Sequence, residues 1–253
     1  MTKFKTSKFT SVIVVAAVIA AAAGFYYIHT KYPAVPSYTA TVQNTTTTAS
    51  PTPTGTPGGN SQPATLNLPI PFTSQAPTAN WDLVHNEDCE EAASVMANAY
   101  LTGNTAVVLP AAQVESEMTT LNNWEDSNLG YHLDTTAEET AQMIQAVYGL
   151  RASVQNGYTL QNIKDQLNMQ HVVILPVNGQ IIGNPNYTAP GPIYHMLVIR
   201  GYSGSTLITD DSGTRRGQNY PYAFQTLYNA GADWDHGTNT IDQTKKVMIT
   251  VWK

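Results

Sequence analysis

The single cysteine of this chain, Cys89, is the first residue whose type suggests chemistry. It opens an alanine-rich apolar run that ends at Leu101, just before Gly103, and this pattern predicts a helix with Cys89 at its N-terminus. The unpaired backbone N–H groups of a first helical turn stabilise a thiolate and lower the pKa of a thiol. Cys89 is therefore a candidate nucleophile, and a buried structural cysteine is the alternative.

The two residues after Cys89 oppose this activation. Glu90 and Glu91 suit the N-terminal end of a helix, but their like charges raise the pKa of a neighbouring thiol. They motivate the alternative hypothesis of a binding module that keeps the fold and has lost activity. An intermolecular disulfide through Cys89 is a further alternative, because a lone cysteine cannot form an internal one.

Among the six histidines, His195 is the candidate base. It begins an apolar run to Ile199 that predicts a core strand. The alternative is a structural histidine whose hydrogen bonds are made within the core. A second predicted strand, residues 206–209, ends in Asp210 and Asp211. An antiparallel hairpin of the two strands would bring an aspartate beside His195, where it can fix the imidazole tautomer. Otherwise both aspartates only begin a turn.

Other polar residues give weaker signals. Gln75 lies fourteen residues before Cys89, and its side-chain amide can donate to an oxyanion. Five residues suggest a metal site by their number alone: His85, Asp88, Glu90, Glu91 and His132. They show no His-Glu-x-x-His or Cys-x-x-Cys spacing, so we predict no metal and no other cofactor.

The N-terminus has the composition of a membrane anchor. Three lysines precede an uncharged apolar stretch from Phe9 to Ile28, and one lysine, Lys31, follows it. A helix of this length spans about 30 Å, the thickness of a bilayer core, and the excess of lysines before it places the N-terminus in the cytoplasm. We therefore predict a single-pass membrane protein whose C-terminal domain lies outside. A signal peptide cleaved near Ala20–Ala23 would secrete the same domain instead.

Composition divides the chain into three parts. Residues 1–31 are the predicted cytoplasmic stub and anchor, residues 32–65 a Thr/Pro-rich extracytoplasmic linker, and residues 66–253 one folded domain. All 18 acidic residues but only 8 of the 12 basic ones follow residue 65. The resulting negative charge argues against binding of nucleic acid by the domain.

The domain changes character along its length. Apolar residues at helical spacing predict four helices, at residues 89–101, 111–124, 137–148 and 160–169. The third helix has Asp134 or Thr135 as its predicted cap. Apolar and β-branched runs predict a proline-broken edge strand at 68–72 and strands at 171–177, 195–201, 206–209 and 247–251. This order predicts an α+β fold, a helical N-terminal lobe packed on an antiparallel β-sheet lobe, with the site in a cleft between them.

These segments together resemble the peptidase domain of family 39 of the cysteine peptidases, in its stand-alone, exported, family-39-like form. The segments that carry the resemblance are Ile70–Gln75, Trp81, Cys89, Tyr194–Tyr202 and Asp211–Arg215. The resemblance implies a papain-like fold related to the bacteriocin-processing peptidases that cut double-glycine leaders. It also implies a peptide or protein substrate, and we expect a monomer.

The resemblance further implies a role for each site residue. Cys89 would be the nucleophile and His195 the general base, while Asp211 orients the base and Gln75 donates to the oxyanion. Many members have Gly-Pro after the nucleophile where this chain has two glutamates, and Asp210 remains an alternative to Asp211. A cell-wall amidase or endopeptidase with the same Cys/His chemistry is the alternative function.

Overall fold

A computed structural model of the protein describes residues 62–253. The predicted stub and anchor at residues 1–31, and the predicted linker up to residue 61, lie outside the described residues. Within residues 62–253, no helix combines the length and the apolar character needed to cross a membrane.

The described residues begin with one short strand and three helices, and the rest of the domain consists of strands with three shorter helices between them. The helices are α1 (Cys89–Thr102), α2 (Ala111–Asn128), α3 (Ala137–Tyr148), α4 (Leu160–Asn168), α5 (Gly179–Ile182) and α6 (Phe224–Ala230). The strands are β1 (Thr65–Asn67), β2 (Arg151–Asn156), β3 (Val172–Val177), β4 (His195–Ser203), β5 (Thr206–Asp210), β6 (Tyr220–Ala223), β7 (Asp233–Asp235), β8 (Thr240–Asp242) and β9 (Val247–Trp252).

One antiparallel sheet organises the domain. Its strands follow the order β2-β9-β3-β4-β5-β6, and β1 pairs with the far end of β4, while β7 and β8 form a separate hairpin. Strands β3 and β4 are buried along almost their whole length, since they occupy the middle of the sheet. The predicted α+β class is confirmed, and the strand that begins with His195 lies in the middle of the sheet.

The helices cover this sheet and pack on one another. Helix α1 packs against β4, α3 against β2 and β9, and α2 against both α1 and α3. The side chains shared by α1, α2 and α3 form a small apolar cluster of their own. Helix α1 thus lies between the sheet on one side and α2 on the other, which fixes the position of its first residue.

Two local predictions were wrong. The edge strand predicted at residues 68–72 lies three residues earlier, as β1, since Pro69 and Pro71 lack the N–H groups that a ladder needs. Helix α3 is capped by Thr136, not by Asp134 or Thr135. The Thr136 hydroxyl accepts from the backbone N–H of Glu139, and the Glu139 side chain accepts from the backbone N–H of Thr136.

Candidate active site

The N-terminus of α1 holds Cys89 against the central strand. The thiol is 5% exposed, because α1 packs on β4 at this point. Its Sγ accepts a hydrogen bond from the backbone N–H of Met196 at 3.2 Å, and the thiol donates to Oε2 of Glu90 at 2.9 Å. Among the described residues, no hydrogen bond joins Sγ to the ring of His195, the residue before Met196.

The surroundings of the thiol disfavour its ionisation. Burial raises the pKa of Cys89 well above its usual range, and a charged Glu90 raises it further, while the Met196 N–H lowers it. The helix terminus identified from the sequence is present, but α1 has no side-chain cap and carries both glutamates in its first turn. Stabilisation of a thiolate therefore has to come from the groups that touch the sulfur.

The hairpin of β4 and β5 places an aspartate on the His195 ring. Val198 pairs with Asp210 in this hairpin, and a bulge between Ile199 and Gly201 shifts the register. The next residue, Asp211, then lies with its Oδ1 2.9 Å from Nε2 of His195. Because Nε2 is held by the carboxylate, Nδ1 is the ring nitrogen that remains for proton exchange with a substrate or a thiol.

Asp211 is the most heavily hydrogen-bonded carboxylate of the site. Besides His195 it accepts from the Tyr187 and Tyr222 hydroxyls at 2.8 Å each, from Asn184 Nδ2 at 3.0 Å and from Gly213 N at 3.1 Å. Burial alone would raise the pKa of Asp211, but charged His195 and these donors lower it. Asp211 therefore stays ionised and can orient the imidazole.

The neighbouring aspartate has a different partner. Arg200 Nη1 donates to both carboxylate oxygens of Asp210, at 2.9 and 3.0 Å, and the backbone N–H of Asn219 adds a third bond at 3.0 Å. Both members of the pair are buried. In this arrangement Asp211 lies next to His195, while Asp210 closes a buried ion pair on the other side of the strand.

Gln75 lies close to this constellation, but its amide is occupied. Its Nε2 donates to the backbone carbonyls of His85 and Asn86, at 2.9 and 3.0 Å, so both amide hydrogens are used. The backbone N–H of Gln75 donates to the carbonyl of Ser212, next to Asp211. For Gln75 to donate to an oxyanion, the segment before Cys89 has to release it, and this role stays a prediction.

The residues of the suggested metal site do not gather. His85 bonds to Asp82 and Glu115 at 2.7 and 2.9 Å, while His132 bonds to Asp126 at 2.9 Å. Within residues 62–253, no group of three or more His, Cys, Asp or Glu side chains is arranged to hold a metal ion.

Comparison with known proteins identifies the family. A sequence model described as the Peptidase_C39 like family matches residues 67–240, which is well over half of the chain. The chain belongs to this family. The predicted resemblance and the prediction of a cysteine-type peptidase are thereby confirmed, and membership implies a peptide or protein substrate.

A solved structure is similar to part of this chain. A crystal structure from Bacillus anthracis, named for a C39-like peptidase, is similar with a TM-score of 0.49 at 12% sequence identity. The similarity covers 75% of this chain and 98% of that one. The comparison with curated proteins found no match.

In this C39-like peptidase an open cleft of about 840 Å³ adjoins the candidate site. Gln75, Tyr187 and Gly213 form its inner wall, next to the His195 and Asp211 pair, and Arg215 and Arg216 lie at its outer part. A carbon on Gly213 would meet Tyr187 Cε1 at 2.9 Å and His195 Cε1 at 3.0 Å, so glycine allows the backbone at this wall to pack closely on the imidazole. The cleft therefore adjoins the His195 and Asp211 pair, while the imidazole itself is buried, with 1% exposure.

Sequence reasoning did not identify the side chains that hold Asp211. Asn184 and Tyr187 belong to a Gly- and Pro-rich loop whose composition is typical of a plain connector, and Tyr222 lies in the short edge strand β6. Only the folded arrangement of β5, β6 and this loop brings all three side chains to one carboxylate. The residue types indicate hydrogen-bond donors, but their spacing in the sequence does not indicate that the three side chains meet at Asp211.

Replacing Tyr222 by phenylalanine tests this group of donors. Because the Tyr222 hydroxyl stabilises ionised Asp211, its loss should raise the pKa of Asp211. Activity that needs ionised Asp211 is lost as the pH falls through that pKa, so the acidic limb of kcat/KM should move to higher pH. The control is Tyr220→Phe, since the Tyr220 ring lies at a tilt against the Tyr222 ring, with the centroids 4.8 Å apart, and its hydroxyl makes no hydrogen bond to Asp211. Equal acidic limbs in wild type and Tyr222→Phe would contradict the role.

Proposed function

We propose that the protein is a membrane-anchored cysteine peptidase that hydrolyses peptide bonds outside the cytoplasm through Cys89, His195 and Asp211. The observation that carries the proposal is the hydrogen bond of 2.9 Å between His195, at the start of β4, and Asp211, just after β5. The backbone N–H of Met196, the next residue of β4, contacts Cys89 Sγ. A nucleophile, a base and an acid that orients the base are the groups that thiol hydrolysis needs.

The chemistry assigns a role to each atom. His195 takes the Sγ proton on Nδ1, and the thiolate attacks the substrate carbonyl carbon to form a tetrahedral oxyanion. The carbon–nitrogen bond then breaks, the amine leaves with the proton from His195, and a thioester remains on Cys89. Water, deprotonated by His195, hydrolyses the thioester and restores the thiol. Asp211 keeps the ring oriented with Nε2–H towards its carboxylate throughout.

The substrate approach requires movement of the segment before Cys89. Cys89 and His195 are 5% and 1% exposed, and Gln75 is held by the carbonyls of His85 and Asn86. We propose that binding of the peptide in the cleft displaces these carbonyls, so that Gln75 Nε2 turns to the oxyanion.

A substrate screen tests the proposal. The full chain in detergent is incubated in parallel with a peptide library and with purified cell-wall material, beside a Cys89→Ser control, and new termini are identified by mass spectrometry. Cleaved peptides that appear only with wild type support the peptidase. Products from the cell wall alone favour the amidase or endopeptidase, and the absence of cleavage in both arms favours the inactive binding module.

A fractionation experiment tests the location. The full chain should sediment with membranes, and protease added outside intact cells should remove the domain, while deletion of residues 1–31 should leave it soluble. The physical reason is the uncharged stretch from Phe9 to Ile28. A soluble extracellular form that begins just after Ala20–Ala23 would show instead that the segment is a cleaved signal peptide.

A further inference from the structure

The side chain of Glu90 lies directly against the sulfur of the nucleophile. Its Oε2 is 2.9 Å from Cys89 Sγ, and its Oε1 accepts a hydrogen bond from the backbone N–H of Thr135 at 3.1 Å. The residue is 1% exposed. A carboxyl group in contact with the reacting atom has to influence the reaction, and its protonation state decides the direction of the effect.

The surroundings of Glu90 favour its neutral form. In the described part of the chain, no ion pair joins its carboxyl group to a cation. The ionisable groups around it are Cys89 and Glu91 on α1, Glu125 on α2, Asp134 before α3, and Tyr194 and His195 where β4 begins. Of these, only His195 can carry a positive charge. Burial raises the pKa of Glu90 and charge on Glu91 or Asp134 raises it further, while the hydrogen bond from Cys89 lowers it; the net direction is well above the usual range.

The hydrogen bonds of the two Glu90 oxygens indicate which of them carries the proton of the neutral carboxyl group. Oε1 accepts from the Thr135 N–H, so it acts as the carbonyl oxygen of a carboxylic acid. The acidic hydrogen then belongs to Oε2, whose hydrogen-bond partner among the described residues is Cys89 Sγ. The Met196 N–H points at the same sulfur from 3.2 Å. While the sulfur is protonated, its S–H donates to Oε2 of Glu90. Once the sulfur loses this proton, the Oε2–H and the Met196 N–H can both donate to Sγ, an arrangement that suits an anion.

We propose that Glu90 is a catalytic residue that, in its neutral form, stabilises the Cys89 thiolate by donating its Oε2–H to Sγ. The proposal rests on the proposed role of Cys89 as nucleophile. The Sγ proton passes to His195, Glu90 keeps its own proton, and the thiolate accepts hydrogen bonds from Glu90 and Met196. When Glu90 ionises, its charge repels the thiolate and Sγ takes the proton back from His195. The reactive form then disappears.

The rate of alkylation by iodoacetamide, measured against pH on the full chain, tests this proposal. Cys89 is the only cysteine, so each label reports one thiol. The wild-type rate should pass through a maximum and fall on its alkaline side as Glu90 ionises, before free thiolate forms at still higher pH. Glu90→Met removes the donor and should slow alkylation at neutral pH by about 10- to 100-fold. Glu90→Gln keeps a donor that never ionises, so it should recover most of this loss and show no alkaline fall.

Glu91→Gln is the matched control, since Glu91 is the neighbouring buried glutamate and makes no hydrogen bond to Sγ. It should retain the alkaline fall. If Glu90→Gln reacts many-fold faster than wild type at neutral pH, Glu90 is ionised and restrains the thiol, which overturns the proposal. Equal profiles of wild type, Glu90→Gln and Glu90→Met also overturn it. If Glu90→Met does not fold, Glu90→Gln alone tests the proposal: absence of the alkaline fall supports it, and its presence overturns it.

The assay separates this proposal from the proposed function. Alkylation needs no peptide. A maximum in the alkylation rate of wild type, together with the absence of the alkaline fall in Glu90→Gln, therefore supports the role of Glu90 even if the protein cleaves no peptide. If wild type cleaves peptides but its alkylation rate shows no alkaline fall, the proposed peptidase function stands and the proposed role of Glu90 is rejected.

Discussion

Replacement of Cys89 by serine is expected to lower kcat/KM on a cleaved peptide by at least about 10⁴-fold, with the fold intact. A hydroxyl ionises far less readily than a thiol, so His195 cannot convert serine into a comparable nucleophile. The serine hydroxyl can still donate to Glu90 Oε2 and accept from the Met196 N–H, as the thiol does. The loss should therefore appear in the rate and not in stability.

The measurement combines kinetics with unfolding. Cleavage of a fluorogenic peptide from the substrate screen gives kcat/KM, and urea titration of the same preparations gives the free energy of unfolding. A Cys89→Ser protein of near wild-type stability that keeps more than about a tenth of the activity would mean that another residue is the nucleophile. Loss of both activity and stability would call for Cys89→Ala as a second variant, since alanine makes no hydrogen bonds at this position.

The sequence predicts the elements that carry the site because their signals are local. Helix α1 begins at Cys89 and ends at Thr102, and its capping residue Gly103 takes the left-handed backbone conformation, with φ of 89°, as the alanine-rich run and its terminal glycine indicate. The hairpin of β4 and β5 follows from two apolar runs joined by a short turn. Both features depend on neighbours in the chain, which is why the approach of an aspartate to His195 could be predicted.

Other elements form only through contacts between distant residues. Strand β2, Arg151–Asn156, has weak β-propensity and is half exposed, and it exists because its whole length pairs with β9. Likewise, the spacing of Glu90 in the sequence shows only a like charge beside a thiol. Its contact with Thr135, 45 residues away, is what places Oε2 on the sulfur and leaves Oε1 as an acceptor.

The occupied amide of Gln75 shows the same limit. The resemblance identifies the residue, and the fold does place it beside Ser212 at the inner wall of the cleft. The two carbonyls that hold its Nε2 belong to the loop before Cys89, whose path follows from the bonds of His85 to Asp82 and Glu115. The path of a loop that is held by a side chain from a distant helix cannot be predicted from the residues of the loop alone.

The two adjacent aspartates should separate activity from stability, and this is the second large effect that we expect. Asp211→Asn should lower kcat/KM of the folded protein by about 10²- to 10⁴-fold. An asparagine amide nitrogen facing Nε2 is a donor, so it favours the imidazole tautomer with the proton on Nδ1, where no proton can be accepted. The Tyr187 and Tyr222 hydroxyls also lose the charge to which they donate.

Asp210→Asn should act mainly on the fold. It leaves the buried Arg200 guanidinium without its counter-ion, and removal of one partner of a buried ion pair costs about 3–5 kcal/mol of unfolding free energy. Because Asp210 lies away from the imidazole, kcat/KM per folded molecule should stay within about tenfold of wild type. Both variants are compared by urea titration and by peptide cleavage at a temperature where each is folded. If Asp210→Asn loses more activity than Asp211→Asn, then Asp210 is the acid that orients His195, and the hydrogen bond of 2.9 Å between Asp211 and His195 has only a structural role.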